Sequence, residues 1–458
     1  MTRQPPVPAL RDLTRFFLPL VFIAFSQAFT YPLVASVVSN GPMGALEYEA
    51  YVIGQHVVTF LASTSLGLVT TGIVFATSRR ANRNFARLGL LLAAAAVLCQ
   101  AVAGLPAAEE LVFGRILAVD AGPVRTVARR SLLACIPVQA NFYIRNILMA
   151  PLFRAKRSDL ANAATLVRVA LTVAVSFGFT RAGLGGYGWG AVAMTLPCLV
   201  ETFLTWQFAR PFLSALPEAA PDGGRPASIL TQLRYSVTLA FGYVLLTATE
   251  FIVISFYSKS SDPERFRLVH FVAYGLACSF FAGAQQLQTV TVVFAKTRES
   301  VRRVFAFAFE SGAALAAVLL ALCLCAPFAR WYFCDFQKIP AESLACTVAA
   351  AAAGAAITVL CGIRGFVEGL AAVRLKPRAV LAGQAAYVLA FWGAFAACPT
   401  GLAGRDHLWG MAAIAAATAV SAAATHLISH GVFYVSYFTP SGGSARLRGH
   451  EARKPICR

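Results

Sequence analysis

Charge is what this sequence has least of. Only 13% of its 458 residues are Asp, Glu, Lys or Arg, about half the share of an ordinary soluble protein at roughly 25%. With 58% hydrophobic residues and a mean hydropathy of +0.67, the chain cannot maintain a soluble surface and reads as an integral membrane protein. The alternating ten-residue pattern of barrel strands is also missing, so the apolar runs of Ala, Leu, Val and Phe are expected to be helices that satisfy their own backbone groups. There is no Walker-type phosphate loop, no His-Glu-x-x-His and no Gly-x-Ser-x-Gly, which argues against an enzyme. Eleven cysteines, among them Cys99, Cys135, Cys198, Cys278, Cys323, Cys325, Cys346 and Cys361, show no metal-ligand spacing and read as small buried hydrophobes. No cofactor or metal is expected. The apolar run behind Arg3, Arg11 and Arg15 lacks a small-residue cleavage site and is taken as an uncleaved first span.

The charge that is present is mostly basic, +19 net. It lies in short clusters between apolar segments, as the positive-inside bias requires, so no nucleic-acid partner is expected. Apolar windows give twelve spans at 14–38, 48–77, 84–106, 129–154, 158–181, 186–212, 231–257, 266–295, 303–329, 343–373, 378–398 and 407–438. The Pro- and Gly-rich stretch Leu216 to Pro226 cannot hold a helix and reads as a linker. The expected organisation is a six-helix lobe at 1–213, a cytoplasmic linker at 214–228, a second six-helix lobe at 229–438 and a basic cytoplasmic tail at 439–458.

Even-numbered connections carry Arg79, Arg80, Arg83 and Arg87, then Arg154, Lys156 and Arg157, then Lys296, Arg298, Arg302 and Arg303, then Arg374, Lys376 and Arg378. Those connections and both termini are therefore expected in the cytoplasm, in a multi-pass protein of the plasma membrane. The 105–128 connection breaks the pattern with Arg115 and Arg125 beside Glu109, Glu110 and Asp120, and a short interfacial helix is expected there.

The two halves repeat. Val74-Phe75-Ala76 returns as Val293-Phe294-Ala295, and Ile144-Arg145 as Ile363-Arg364, both at an offset of 219 residues (75 to 294, 145 to 364). Six spans per half give both halves the same orientation, hence a parallel repeat of the kind found in transporters. Arg145 and Arg364 each stand roughly 14 Å from the cytoplasmic end of their helix, near the centre of a core about 30 Å thick. A lone arginine there costs about 3 to over 10 kcal/mol, so each must meet protein, water or ligand. Two readings follow: the arginines converge on an anionic substrate, or each braces its own bundle against a carboxylate.

Arg168 joins them as a possible anion contact. Glu368, one turn after Arg364, can reach it on the same helix face. Glu250 lacks a local partner and is the leading candidate for proton or sodium coupling, followed by Glu201, with His56 as a possible proton carrier. Gln139, Asn146 and Gln285 could line a wet cavity or join helices. Pro32, Pro137 and Pro197 could act as hinges or static kinks.

Arg15-Phe16-Phe17-Leu18-Pro19-Leu20, the run from Ala50-Tyr51 to Gly72-Ile73-Val74-Phe75, Ser78-Arg79-Arg80 and the Arg129-Arg130 entry to the fourth span resemble the progressive ankylosis family. That family belongs with the multidrug/oligosaccharidyl-lipid/polysaccharide (MOP) exporters, the superfamily of the MATE transporters. The resemblance implies twelve helices in two pseudo-symmetric lobes and export of an anion such as pyrophosphate, ATP or citrate. The alanine-rich last three spans and the tail from Arg446 to Arg458 depart from the family, while Arg364-Gly365 and Glu368-Gly369 are similar to the wider superfamily, lipid-linked oligosaccharide flippases included.

The sequence therefore leads to an all-α, polytopic, MATE-like transporter working by alternating access in the lipid bilayer, monomeric, with a small and anionic substrate. Arg145, Arg168, Arg364, Gln139, Asn146 and Gln285 are the expected substrate contacts, and Glu250, Glu368, Glu201 and His56 the expected coupling groups. A cation-coupled drug antiporter, a flippase and a non-transporting scaffold are the alternatives.

Overall fold

In the computed structural model, residues 7–117, 119–218, 226–247, 249, 252–253, 257, 262–337, 339–397 and 406–430 are described. Among the described residues the regular structure is all helical, joined by short turns, with no strand. The helices are α1 (Leu10–Val38), α2 (Ala45–Ser63), α3 (Leu66–Phe75), α4 (Arg79–Ala103), α5 (Pro106–Glu109), α6 (Pro123–Ala134), α7 (Ile136–Arg154), α8 (Ser158–Arg181), α9 (Tyr187–Ser214) and α10 (Ile229–Thr247). After them come α11 (Pro263–Gln285), α12 (Leu287–Phe294), α13 (Arg298–Leu324), α14 (Ala326–Ala329), α15 (Leu344–Val373), α16 (Pro377–Ala396) and α17 (Asp406–His430). Every expected span has a helix in it, and among the described residues 10 helical segments are long and apolar enough to cross a membrane.

By packing, the chain forms two compact units, Phe22–Thr247 and Met1–Val21 with Ala248–Arg458. Within the first unit, α10 packs on α2, α3 and α4, and Arg79 holds the start of the linker through its Nε to Leu216 O (3.0 Å) and its Nη2 to Ser214 O (2.8 Å). One core of that unit gathers Val34, Tyr51, Val58, Phe113, Leu132 and Val138. A second gathers Leu68, Phe85, Tyr143 and Ala150. Within the second unit α15 is the hub, packed on α11, α12, α13 and α17, and Phe16 and Phe17 of α1 meet Phe294 and Phe307 edge to face.

The repeat extends to the backbone. Ser78 caps α4 by accepting from Ala81 N (3.3 Å), and Thr297 caps α13 by accepting from Ser300 N (3.2 Å). A π-helical segment follows each of the short helices α5 and α14, at Glu110–Ile116 and Arg330–Phe336, with Phe113 and Phe333 fully buried. Lys156 (φ 60°) and Leu375 (φ 56°) end α7 and α15 in the left-handed conformation. There Arg157 N donates to Leu152 O and Lys376 N to Ala371 O, the paired bonds of a Schellman stop. Neither residue is glycine, so the same strain is kept in both halves.

The 105–128 connection holds α5, the first π-helical segment and the start of α6, so the fourth span begins at Pro123, six residues before the expected 129. Arg125 in it bonds Glu110 (2.6 Å) and Val119 O (2.9 Å), and Arg129 just beyond it bonds Glu109 (2.7 Å) and Gly104 O (3.1 Å). These pairs account for Arg125, Glu109 and Glu110 in the uneven charge pattern, while Arg115 is exposed.

Candidate functional site

In the first unit three adjacent helices bring ionisable groups to one point. Arg145 on α7, Arg168 on α8 and Glu201 on α9 are 7%, 4% and 0% exposed. Glu201 Oε2 takes both arginines, Arg145 Nη1 at 3.2 Å and Arg168 Nε at 3.1 Å. Thr165, one turn before Arg168 on the same helix face, donates to Glu201 Oε1 at 2.5 Å. Ser26 and Thr30, one turn apart on α1, accept from Arg168 Nη2 (3.3 Å) and Nη1 (2.7 Å). Two guanidinium groups on one carboxylate leave one positive charge in surplus. Arg168 Nε is taken up in its ion pair with Oε2, whereas Arg145 Nε has no hydrogen-bond partner among the described residues. A buried group with a spare donor and a spare charge is suited to holding an anion.

The matching place in the second unit is differently wired. Arg364 Nε lies 2.7 Å from Glu368 Oε1, one turn along α15, and Gln285 at the end of α11 donates to Glu368 Oε2 at 3.0 Å. The guanidinium also sits over the Tyr387 ring, 5.3 Å from its centroid. Tyr387 is the 219-residue counterpart of Arg168 (168 to 387). Here one cation meets one anion, and no charge is left over. Gly365 and Gly369 let α15 lie against the junction of α11 and α12: an added Cβ would come within 3.0 Å of Gln285 O at Gly365 and 2.7 Å of Gln288 O at Gly369.

A second polar stripe on α7 is spent on the junction of α2 and α3. Ser63 and Thr64 bond back to Phe60 O (2.7 Å) and Leu61 O (2.8 Å), which weakens the helical ladder there. Gln139, Tyr143 and Asn146, at helical spacing, supply the missing partners. With its amide oriented to satisfy both, Gln139 donates to Val58 O (3.1 Å) and accepts from Ala62 N (3.2 Å). Tyr143 donates to Leu61 O (3.2 Å), and Asn146 to Ser65 O (3.2 Å) and Ser65 Oγ (3.0 Å).

Of the residues singled out in the sequence, Arg145, Arg168 and Glu201 come together in one cluster, and Arg364, Glu368 and Gln285 in another. Gln139 and Asn146 face the helix junction, His56 is exposed on α2, and Glu250 lies outside the described residues. Pro137 stands in the first turn of α7, directly after the interruption at Cys135, whereas α9 runs unbroken through Pro197. Thr165, Ser26, Thr30 and Tyr387 take part without having been expected. Polar pairs at i, i+3 and i, i+4 in apolar helices, and the repeat offset for Tyr387, are the signals that mark them.

No protein-family model matches this sequence, and no curated protein matches it. Solved structures do. A multidrug resistance MATE family transporter of the MOP superfamily, in an outward-facing conformation, is similar with a TM-score of 0.71 at 16% identity, over 91% of this chain and 94% of that one. A MOP superfamily transporter from Pyrococcus furiosus, described by the reverse polarity of its binding pocket, is similar with a TM-score of 0.67 at 14% identity, over 92% and 94%. The eukaryotic MATE transporter AtDTX14 is similar with a TM-score of 0.65 at 13% identity, over 91% and 94%. The fold of this chain is thus the all-helical, multi-pass membrane fold of the MATE transporters, whose helices form two bundles.

Proposed function

We propose that this chain is a membrane transporter that exports an organic or phosphate-bearing anion by alternating access. The observation that carries the reading is the two-to-one cluster of Arg145 and Arg168 on Glu201, which leaves a buried positive charge and the Arg145 Nε without a hydrogen bond. Arg145 and Arg168 are the proposed anion contacts, and Arg364 a weaker one, since Glu368 already neutralises it. The resemblance of the first two spans to the progressive ankylosis family supports pyrophosphate, ATP or citrate as the substrate class. A fold neighbour described by the reverse polarity of its pocket supports a change of charge preference on this scaffold. Proton or sodium coupling is proposed at Glu250, because Glu201 and Glu368 are filled by arginines and hydrogen-bond donors.

A cation-coupled drug antiporter is the second reading, favoured by a fold neighbour described as a multidrug resistance transporter. Proteoliposome flux separates the two. Labelled pyrophosphate and citrate are expected to move and a cationic dye is not, with the proton or sodium gradient applied and removed in turn. Movement of the dye alone contradicts the anion reading.

A further inference from the structure

Four aromatic rings belong to neither arginine cluster and lie outside the stretches long and apolar enough to cross a membrane. One such stretch ends with α13 at Leu324 and the next begins at Ala341. Between them, α14 and the π-helical segment Arg330–Phe336 carry Phe328, Trp331, Tyr332 and Phe336. The rings form one continuous array: Phe328 is stacked on Tyr332 (centroids 5.7 Å apart, planes at 11°) and Trp331 on Phe336 (5.9 Å, 22°), with 5.9 Å between Phe328 and Trp331. Trp331 and Phe336 are each 53% exposed, while Phe333 turns inward and is fully buried.

The level of this array in the bilayer follows from helix length. From the exposed Arg303, α13 rises through 21 residues to its end at Leu324 (303 to 324). That is roughly 30 Å, the thickness of a hydrocarbon core. The core therefore ends near Leu324, itself 76% exposed, and the array starts four residues further on (324 to 328), continuing the lipid-facing surface of α13. In water these rings would be an uncovered apolar patch, whereas the headgroup level of a bilayer suits Trp and Tyr, which have an apolar body and a polar tip. Arg330 and Asp335 flank the rings, both exposed and, among the described residues, without a hydrogen-bond or ion-pair partner. One free charge of each sign complements a zwitterionic headgroup.

The first repeat keeps the backbone and lacks the rings. Its π-helical segment aligns at an offset of 220 residues (113 to 333), and the places of Phe328, Trp331, Tyr332 and Phe336 hold Ala108, Leu111, Val112 and Ile116. The residue in the place of Arg330 is Glu110, which is paired with Arg125. The π-helical turn thus forms without aromatic residues, and its fold does not account for them.

We propose that α14 and the π-helical segment Arg330–Phe336 are an interfacial anchor, with the four rings seated in the headgroup layer of a zwitterionic phospholipid leaflet and Arg330 and Asp335 against its paired charges. The second unit is held at a fixed depth by this contact, which the first unit's counterpart does not make. The proposal is independent of the substrate reading.

The test is the tryptophan emission of the full chain in phosphatidylcholine vesicles, taken as the difference between wild type and Trp331→Phe, so that Trp331 alone is reported. Trp331→Phe keeps an aromatic ring in the stack and is expected to melt as the wild type does. Phosphatidylcholine spin-labelled near the top of its acyl chain is expected to quench the difference signal roughly twofold more than the same lipid labelled near the methyl end, as suits a ring at headgroup level. Aqueous iodide is expected to quench it little. Phe336→Trp, placed in the Trp331→Phe chain, gives a second reporter in the array and is expected to show the same preference. Strong quenching by iodide without quenching by either lipid overturns the proposal, because the rings then face water. Stronger quenching by the deep label also overturns it, as does a signal that no quencher reaches, which would mean that protein, a second copy included, covers the rings.

Discussion

Arg145 and Arg364 stand at equivalent places in the two repeats, yet their counter-charges arrive from different directions. Arg364 is answered on its own helix by Glu368 and by the face of Tyr387. Arg145 is answered by Glu201 on another helix, and that carboxylate is shared with Arg168. A duplicated helix scaffold has kept the buried cation and changed what surrounds it. In the second unit the charge is closed within one turn of α15, which suits a brace. In the first it is closed across α7, α8 and α9 with one positive charge in excess, which suits a ligand. The neighbouring positions diverge in step: Asn146 bonds the α2–α3 junction where its counterpart Gly365 makes room for the α11–α12 junction.

The most damaging way to test this contrast is to remove the shared carboxylate. Glu201→Ala strands two buried guanidinium groups and is expected to cost at least the 3–5 kcal/mol of a broken buried pair, read as loss of folded protein and a large fall in melting temperature. Glu368→Ala strands only one, with the Tyr387 ring still beneath it. Its cost is expected at the low end, about 3 kcal/mol, and equal losses in the two variants would erase the distinction. Arg168→Gln leaves Arg145 and Glu201 as a neutral pair. Stability should change by about 1 kcal/mol or less, while anion affinity falls by on the order of tenfold, the weight of one charge-assisted bond at about 1.5 kcal/mol. Tyr387→Leu removes the cation–π contact while keeping most of the buried volume, and should cost about 1–2 kcal/mol. Tyr387→Phe keeps the ring and should be close to neutral in a melting experiment.

How much of this is legible in the sequence depends on the range of each contact. The twelve spans follow from hydropathy, and the equivalence of Arg145 and Arg364 from the offset. Arg364 with Glu368 follows from helical spacing, because both residues share one helix. Arg145 with Glu201 does not, since their separation of 56 residues is closed only by packing α7 on α9, and sequence spacing says nothing about which faces meet. The break between α2 and α3 is equally hidden, because Ser63, Thr64 and Ser65 sit inside an unbroken apolar run. The early start of the fourth span at Pro123 is masked by its arginines, which look like a loop until Glu109 and Glu110 are found paired with them.

The central claim is that surplus charge, and not burial of an arginine as such, makes the first cluster an anion site. Equilibrium binding of labelled pyrophosphate to purified wild type, Arg168→Gln and Arg364→Gln tests it most directly. The expected result is binding weakened by on the order of tenfold in Arg168→Gln, with Arg364→Gln close to wild type and all three proteins folded. Equal binding by wild type and Arg168→Gln, or a loss confined to Arg364→Gln, would contradict it.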